Sequence, residues 1–136
     1  MLILASADVD ALIADISPDE LTQLMGVVFR RVSENSGVDM PQRLSVQTKS
    51  HDILFMPSRI DTYGTAVKIP SVPTSGGSAG IPATTLVIDE ASGGVEAVVN
   101  ARNLTAVRNA AGASCHPWGQ SQLRQYQVLC WPPSWL

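Results

Sequence analysis

Cysteine is almost missing from this 136-residue chain: the only two, Cys115 and Cys130, lie in its last 23 residues. Residues 1–114 therefore carry no disulfide framework and no thiolate spacing for a metal. The two histidines, His51 and His116, stand in no ligand spacing to each other or to a carboxylate cluster, so no metal site is expected, and His51 reads as a turn residue. No stretch approaches the roughly 20 apolar residues of a membrane span. The opening Met1-Leu-Ile-Leu-Ala5 lacks a basic leader region and soon reaches Asp8 and Asp10, so a cytoplasmic location without membrane attachment is expected. Basic residues are also few. Nine Lys and Arg against twelve Asp and Glu give a net charge of −3, without the clustered cations that nucleic-acid binders need.

What remains is globular. A hydrophobic fraction of 45% with 15% charged residues suits one domain with a real core. Leu2-Ile3-Leu4 reads as a first strand, and Ser6 as the cap of a short helix carrying Val9, Leu12, Ile13 and Ile16. Ser17-Pro18-Asp19-Glu20 is a capping box with proline where no N–H is needed. The helix it opens has a stripe of Leu21, Leu24, Met25, Val28, Phe29 and Val32; it should end near Asn35, with Gly37 as its cap and Arg30 and Arg31 at the negative end of the dipole.

From Arg43 the period shortens toward two. Leu44, Val46 and Thr48 alternate with Ser45 and Gln47, and Ile53–Met56 and Thr65–Ile69 continue a meander of short strands. Pro70 to Gly80 is dense in turn formers and reads as a mobile loop, its Ser75-Gly-Gly-Ser78 run leading to neither a Walker lysine nor a helix. Thr84–Ile88 resumes the sheet, Asp89–Gly94 turns, Val95–Val99 returns, and a helix closes from Ala101 to about Gly112. The order predicts an α+β fold with helices packed on one face of a mostly antiparallel sheet.

After Ala113 the vocabulary changes. Trp118, Trp131 and Trp135 join both cysteines there, and no Asp or Glu follows Glu96. Residues 1–113 are read as a partial domain, and 114–136 as an unrelated, disordered ending produced by truncation or frameshift.

Four pieces in order carry a family resemblance: Met40-Pro-Gln-Arg43 before a strand, Ala66-Val-Lys68 within one, Gly80-Ile-Pro82 ahead of an apolar strand and Asp89, and Leu104-Thr-Ala-Val-Arg108-Asn-Ala-Ala-Gly112 opening a helix. In these the chain resembles the ornithine cyclodeaminase and mu-crystallin family, which includes alanine dehydrogenases and ketimine reductases. The resemblance implies an N-terminal dimerisation and substrate-binding domain, with the family's Rossmann domain for NAD or NADP missing. It places Arg43, Lys68 and Arg108 at a substrate cleft: Arg43 and Arg108 grip a carboxylate, and Lys68, the catalytic residue, lies by the reacting carbon or imine. Thr84 or Thr85 would add a hydroxyl, and Asn109, where the family carries Thr, would approach the cofactor phosphates. The implied substrate is a small amino or imino acid.

The residue chemistry agrees with those roles. Guanidinium forks suit carboxylates, and a lysine in an apolar strand can polarise an imine. Read without the resemblance, the same three cations are solvated surface charges, although an idle charge within the apolar strand around Lys68 is costly. No G-x-G-x-x-G turn exists in the sequence, and an acid after Glu96 is lacking, so the chain alone is expected to bind no cofactor and to be inactive. The alternative is a non-catalytic dimerising or amino-acid-binding module, pairing with itself or with a full-length paralogue through an open sheet edge. A small standalone enzyme using Lys68 as a Schiff-base nucleophile is a third reading. Loss of the partner domain would leave stability marginal.

Overall fold

The computed structural model describes residues 1–75 and 80–114; the tail tryptophans and cysteines, His116, and Gly76-Gly-Ser78 lie outside them. Strand β1 (Leu2–Leu4) leads to α1 (Ser6–Ala14) and α2 (Pro18–Ser33). Strands β2 (Val38–Asp39), β3 (Leu44–Gln47), β4 (His51–Ile60), β5 (Gly64–Pro73), β6 (Ala83–Ile88) and β7 (Val95–Asn100) follow, and α3 (Arg102–Ser114) comes last. The strands form one seven-stranded sheet ordered β1-β7-β6-β5-β4-β2, with β3 also paired to β4. Only β1 runs parallel to its neighbour, so the fold is α+β on a mostly antiparallel sheet, as expected.

Local chemistry explains most element ends. At α2 the Ser17 hydroxyl accepts the Glu20 N–H at 3.2 Å while the Glu20 carboxylate accepts the Ser17 N–H at 2.9 Å, closing the capping box. The other end departs from expectation. Asn35 rather than Gly37 is the left-handed residue that closes the helix, with φ 49°, while Gly37 takes its own left-handed turn at φ 62° two residues on; the Asn35 N–H reaches the Val32 carbonyl and the Ser36 N–H that of Arg31. This Schellman pair satisfies the orphan carbonyls two residues before the glycine. At α1, Ser6 lies inside the helix and Ala5 is the cap residue; the Asp8 carboxylate accepts the Ala5 N–H at 2.8 Å and takes over the role expected of Ser6. Ile16 lies past the end of α1.

Two further boundaries move. His51 opens β4 rather than sitting in the turn, and β5 runs on through Pro70 to Pro73 where a loop was expected. Prolines there remove ladder donors, yet pairing survives because the neighbouring Ser71 N–H donates to the Pro82 carbonyl at 2.8 Å. The Asp89–Gly94 turn forms as read, with Asp89 accepting from Ser92 Oγ at 2.6 Å and from the Ala91 N–H at 3.1 Å.

Side chains alternate along a strand, so the register sorts residues onto two faces. On one face lie Leu54, Met56, Lys68, Pro70, Ala83, Thr85 and Ala97. Helix α1 packs by β7 and α3 by β6, and α2 lies on α3. The buried apolar residues here are small: Ala83, Ala97, Ala101 and Ala111, with Val9 at 4% exposure the bulkiest. Alanines let the helices approach the sheet closely. Gly112 does the same between helices, since a Cβ there would stand 3.1 Å from Phe29 Cζ.

The opposite face carries Ile3, Ile53, Phe55, Val67, Ile69, Leu86 and Val98, joined by Leu44 and Val46 of β3. No helix of the described residues packs on it, and Ile3, Leu44 and Val46 are 66%, 68% and 52% exposed.

Three carboxylates lie below their usual range in the folded chain. Glu20 is lowered by the Ser17 hydroxyl and N–H, Asp89 by Ser92 and the Ala91 N–H, and Glu90 by the Thr65 hydroxyl and then by Arg59. Because their folded values are depressed, protonation favours the unfolded chain. The stability they contribute is present above the ordinary carboxyl value of 4.5 for Glu20 and Glu90 and is lost as pH falls through the folded values. Melting temperature should accordingly drop below about pH 4.5, and the double variant Glu20→Gln, Glu90→Gln should flatten that drop; an unchanged acid slope contradicts the assignment.

Candidate functional site

The helix-covered face opens into a cavity of about 440 Å³ between the β3–β4–β5 end of the sheet and α3. Three cations meet there, each delivered by a different element. Arg43 precedes β3, Lys68 is central in β5, and Arg108 lies on α3 one turn after Thr105, which also lines the cavity. Register explains how the first two meet. Lys68 pairs with Met56 on one side and Thr85 on the other, and the β3–β4 register extended by one residue sets Arg43 beside Met56. Arg43 and Lys68 therefore occupy one row across the sheet, two strand spacings or about 10 Å apart at Cα.

The walls between them are apolar, with Leu54, Met56, Pro70, Val72 and Ile81 contributing. Ile81 is presented by the Gly80-Ile-Pro82 turn. Gly80 holds φ 81°, where any side chain is strained, and a Cβ on it would crowd the Arg102 guanidinium at 3.2 Å, so glycine is favoured there. Apolar walls lower the local dielectric and strengthen any ion pair made inside. Arg43 is half-buried, and no hydrogen bond or ion pair among the described residues engages it. The two ion pairs shown, Arg59 with Asp61 and with Glu90, lie elsewhere.

The structure brings Arg43, Lys68 and Arg108 together and leaves two expected residues apart. Thr84 pairs with Ile69 and is exposed on the helix-free face, whereas the alternation puts Thr85 on the side of Lys68. Asn109 follows Arg108 on the helix but is exposed and does not line the cavity. Residues that the sequence reading passed over also line it: Ser45, Gln47, Asp52, Thr74 and Thr105. A signal for them existed in the polar run Arg43-x-Ser45-x-Gln47, which points all three side chains to one face. Asp52 required the β3–β4 register, which seats it opposite Gln47.

Among the described residues no group of His, Cys, Asp or Glu could hold a metal ion, and no helix is long and apolar enough to cross a membrane. The strand-to-helix turns at Ala5 and Ala101 contain no glycine, so neither offers the close backbone approach that a dinucleotide pyrophosphate needs.

No protein-family profile matches the sequence, and no curated protein matches it. Solved structures do match. A Δ1-pyrroline-2-carboxylate reductase from Thermococcus litoralis, in complex with NADH and L-proline, superposes with a TM-score of 0.71 at 28% identity, over 83% of this chain and 36% of that one. An archaeal alanine dehydrogenase dimer with bound NAD gives 0.69 at 23% identity, over 82% and 34%. A probable ornithine cyclodeaminase from Bordetella pertussis Tohama I gives 0.64 at 21% identity, over 82% and 33%. The chain thus spans about a third of the length of these structures. The three neighbours match the resemblance to the ornithine cyclodeaminase and mu-crystallin family.

Proposed function

We propose that this chain forms the substrate side of an amino- or imino-acid enzyme of the ornithine cyclodeaminase type, binding the substrate carboxylate between Arg43 and Arg108 with Lys68 beside the reacting centre. The observation that carries this reading is the convergence of three cations from three elements on one apolar-walled cavity, with Arg43 unpaired among the described residues. Guanidinium forks match a carboxylate in shape and charge, and the ammonium of Lys68 can hydrogen-bond an imine nitrogen or carbonyl oxygen. In this reading residues 1–113 are the substrate-binding and dimerising unit, 114–136 are a tail of different origin, and the location is cytoplasmic.

NAD(P) would supply the hydride chemistry in such an enzyme. The glycine-free turns at Ala5 and Ala101 do not fit a dinucleotide, so no hydride step is assigned to these residues. Calorimetric titration tests the reading: L-norvaline should bind the chain, and butylamine, which keeps the amine and loses the carboxylate, should not. Equal binding of the two would remove the carboxylate role. Turnover of an imino acid with NADH by the chain alone would contradict the division of labour.

A second reading is favoured by the helix-free apolar face. A contiguous apolar surface of that kind marks an interface. The chain is then a dimerising module, pairing with a second copy or with a longer relative across that face. Sedimentation should show a dimer, and Leu44→Lys with Phe55→Lys should convert it to a monomer with retained secondary structure. A wild-type monomer that stays soluble would contradict this.

A further inference from the structure

The chain holds two lysines, Lys49 and Lys68, and the fold treats them differently. Lys49 is exposed between β3 and β4. Lys68 is half-buried in the middle of β5 and lines the cavity together with Arg43 and Arg108. Asp52 is the only carboxylate among the described lining residues, and its Oδ1 accepts from Ser45 Oγ. Along β4 it lies four residues from Met56, the ladder partner of Lys68, or about 13 Å at Cα. Lys68 thus shares the cavity with two guanidiniums, which stay charged, and with the apolar side chains of Leu54, Met56 and Pro70. Like charge and apolar walls both favour an amine over an ammonium, and the neutral amine is the nucleophile.

We infer that Lys68 is a covalent capture site for α-keto acids, which it holds as a Schiff base. The inference rests on the carboxylate-binding reading above: a ligand carboxylate seated on Arg43 and Arg108 holds the neighbouring carbonyl carbon at Lys68. The Nζ lone pair attacks that carbon as the C=O π pair moves onto oxygen. The two amine protons then leave with that oxygen as water, and a C=N bond joins Lys68 to the ligand. Nothing is oxidised or reduced, so the step requires no nicotinamide. The ligand carboxylate offsets the guanidinium charges, which a simple ketone leaves unbalanced, so keto acids react in preference to ketones.

Sodium cyanoborohydride reduces such an imine to a stable secondary amine, so treating the full 136-residue chain with pyruvate and this reagent, followed by peptide mass mapping, tests the point. Lys68 should carry one adduct per chain and be labelled about tenfold faster than Lys49, or better. Acetone, the ketone without the carboxylate, should label Lys68 about tenfold more slowly than pyruvate does. Arg43→Ala should slow pyruvate labelling of Lys68 by about the same factor and leave Lys49 unchanged. Pyruvate that binds by calorimetry yet leaves Lys68 unlabelled overturns the inference and leaves carboxylate binding intact. Neither binding nor labelling overturns both. Equal labelling of Lys68 and Lys49 marks ordinary amine reactivity and overturns the inference, as does equal labelling of Lys68 by pyruvate and acetone. Lys68→Ala should remove the adduct; should that variant fail to fold, the ratio of Lys68 to Lys49 in the wild-type chain still decides.

Discussion

Replacing Arg43 with alanine should weaken binding of an α-amino acid by about ten- to a hundredfold and leave the melting temperature of the chain within a degree or two. Hydrogen bonds to charged groups contribute about 1.5–3 kcal/mol, and each 1.4 kcal/mol is tenfold in affinity. Arg43 lies outside the ladder of β3, it is half-buried, and no described residue depends on it for an ion pair. Its loss therefore removes a ligand contact without removing a fold contact. Arg43→Lys should fall between, because the charge stays and the planar fork is lost. Calorimetry on both variants checks this; unchanged affinity in Arg43→Ala would make the residue a surface charge after all.

Val9→Asp should unfold the chain. Val9 is 4% exposed on α1, which packs by β7 and α3, and its neighbours in the core are mostly alanines that cannot rearrange around a charge. The substitution forfeits about 1.5–3 kcal/mol of burial and adds a desolvation cost of several kcal/mol for an unpaired carboxylate. Domains of this kind hold only about 5–15 kcal/mol in total. Proximity to the α1 N-terminus returns at most about 1 kcal/mol. Far-UV circular dichroism should show loss of the cooperative melt, with Val9→Ala melting between it and the wild type. A Val9→Asp chain that melts like the wild type would mean that α1 does not close the core.

The sequence was most informative where short-range chemistry decides structure. Ser17 and Glu20 specify the start of α2 within four residues, and Asp89 with Ser92 specifies its turn, so neither needs the rest of the chain. Reading failed where two local candidates competed. Asn35 and Gly37 both adopt positive φ, and the bonds of the Asn35 and Ser36 N–H groups to Val32 and Arg31 make the asparagine the cap. Prolines at 70 and 73 looked like loop, but pairing with Ala83 and His51 held them in β5.

At the site, the three cations were legible through the family resemblance, and register aligns two of them, Arg43 and Lys68, while α3 brings Arg108. The hydroxyl was not legible. Thr84 and Thr85 differ only in which face they occupy, and that depends on Lys68 pairing with Thr85. Asp52 was invisible for the same reason: its place opposite Gln47 is a long-range fact of β3 and β4, with no local mark in the sequence. The apolar alternation of Leu44 and Val46 likewise marked a strand without revealing that their side faces away from the helices.

The account stands or falls on whether Arg43 and Arg108 grip one carboxylate beside Lys68. Nitrogen-15 NMR of the arginine side chains during titration with an L-amino acid measures that directly. The Nε–H resonances of Arg43 and Arg108 should shift together and saturate at one ligand per chain, while those of Arg59, committed to Asp61 and Glu90, stay in place. Shifts spread over all arginines, or none at Arg43 and Arg108, would contradict a substrate site in this cavity.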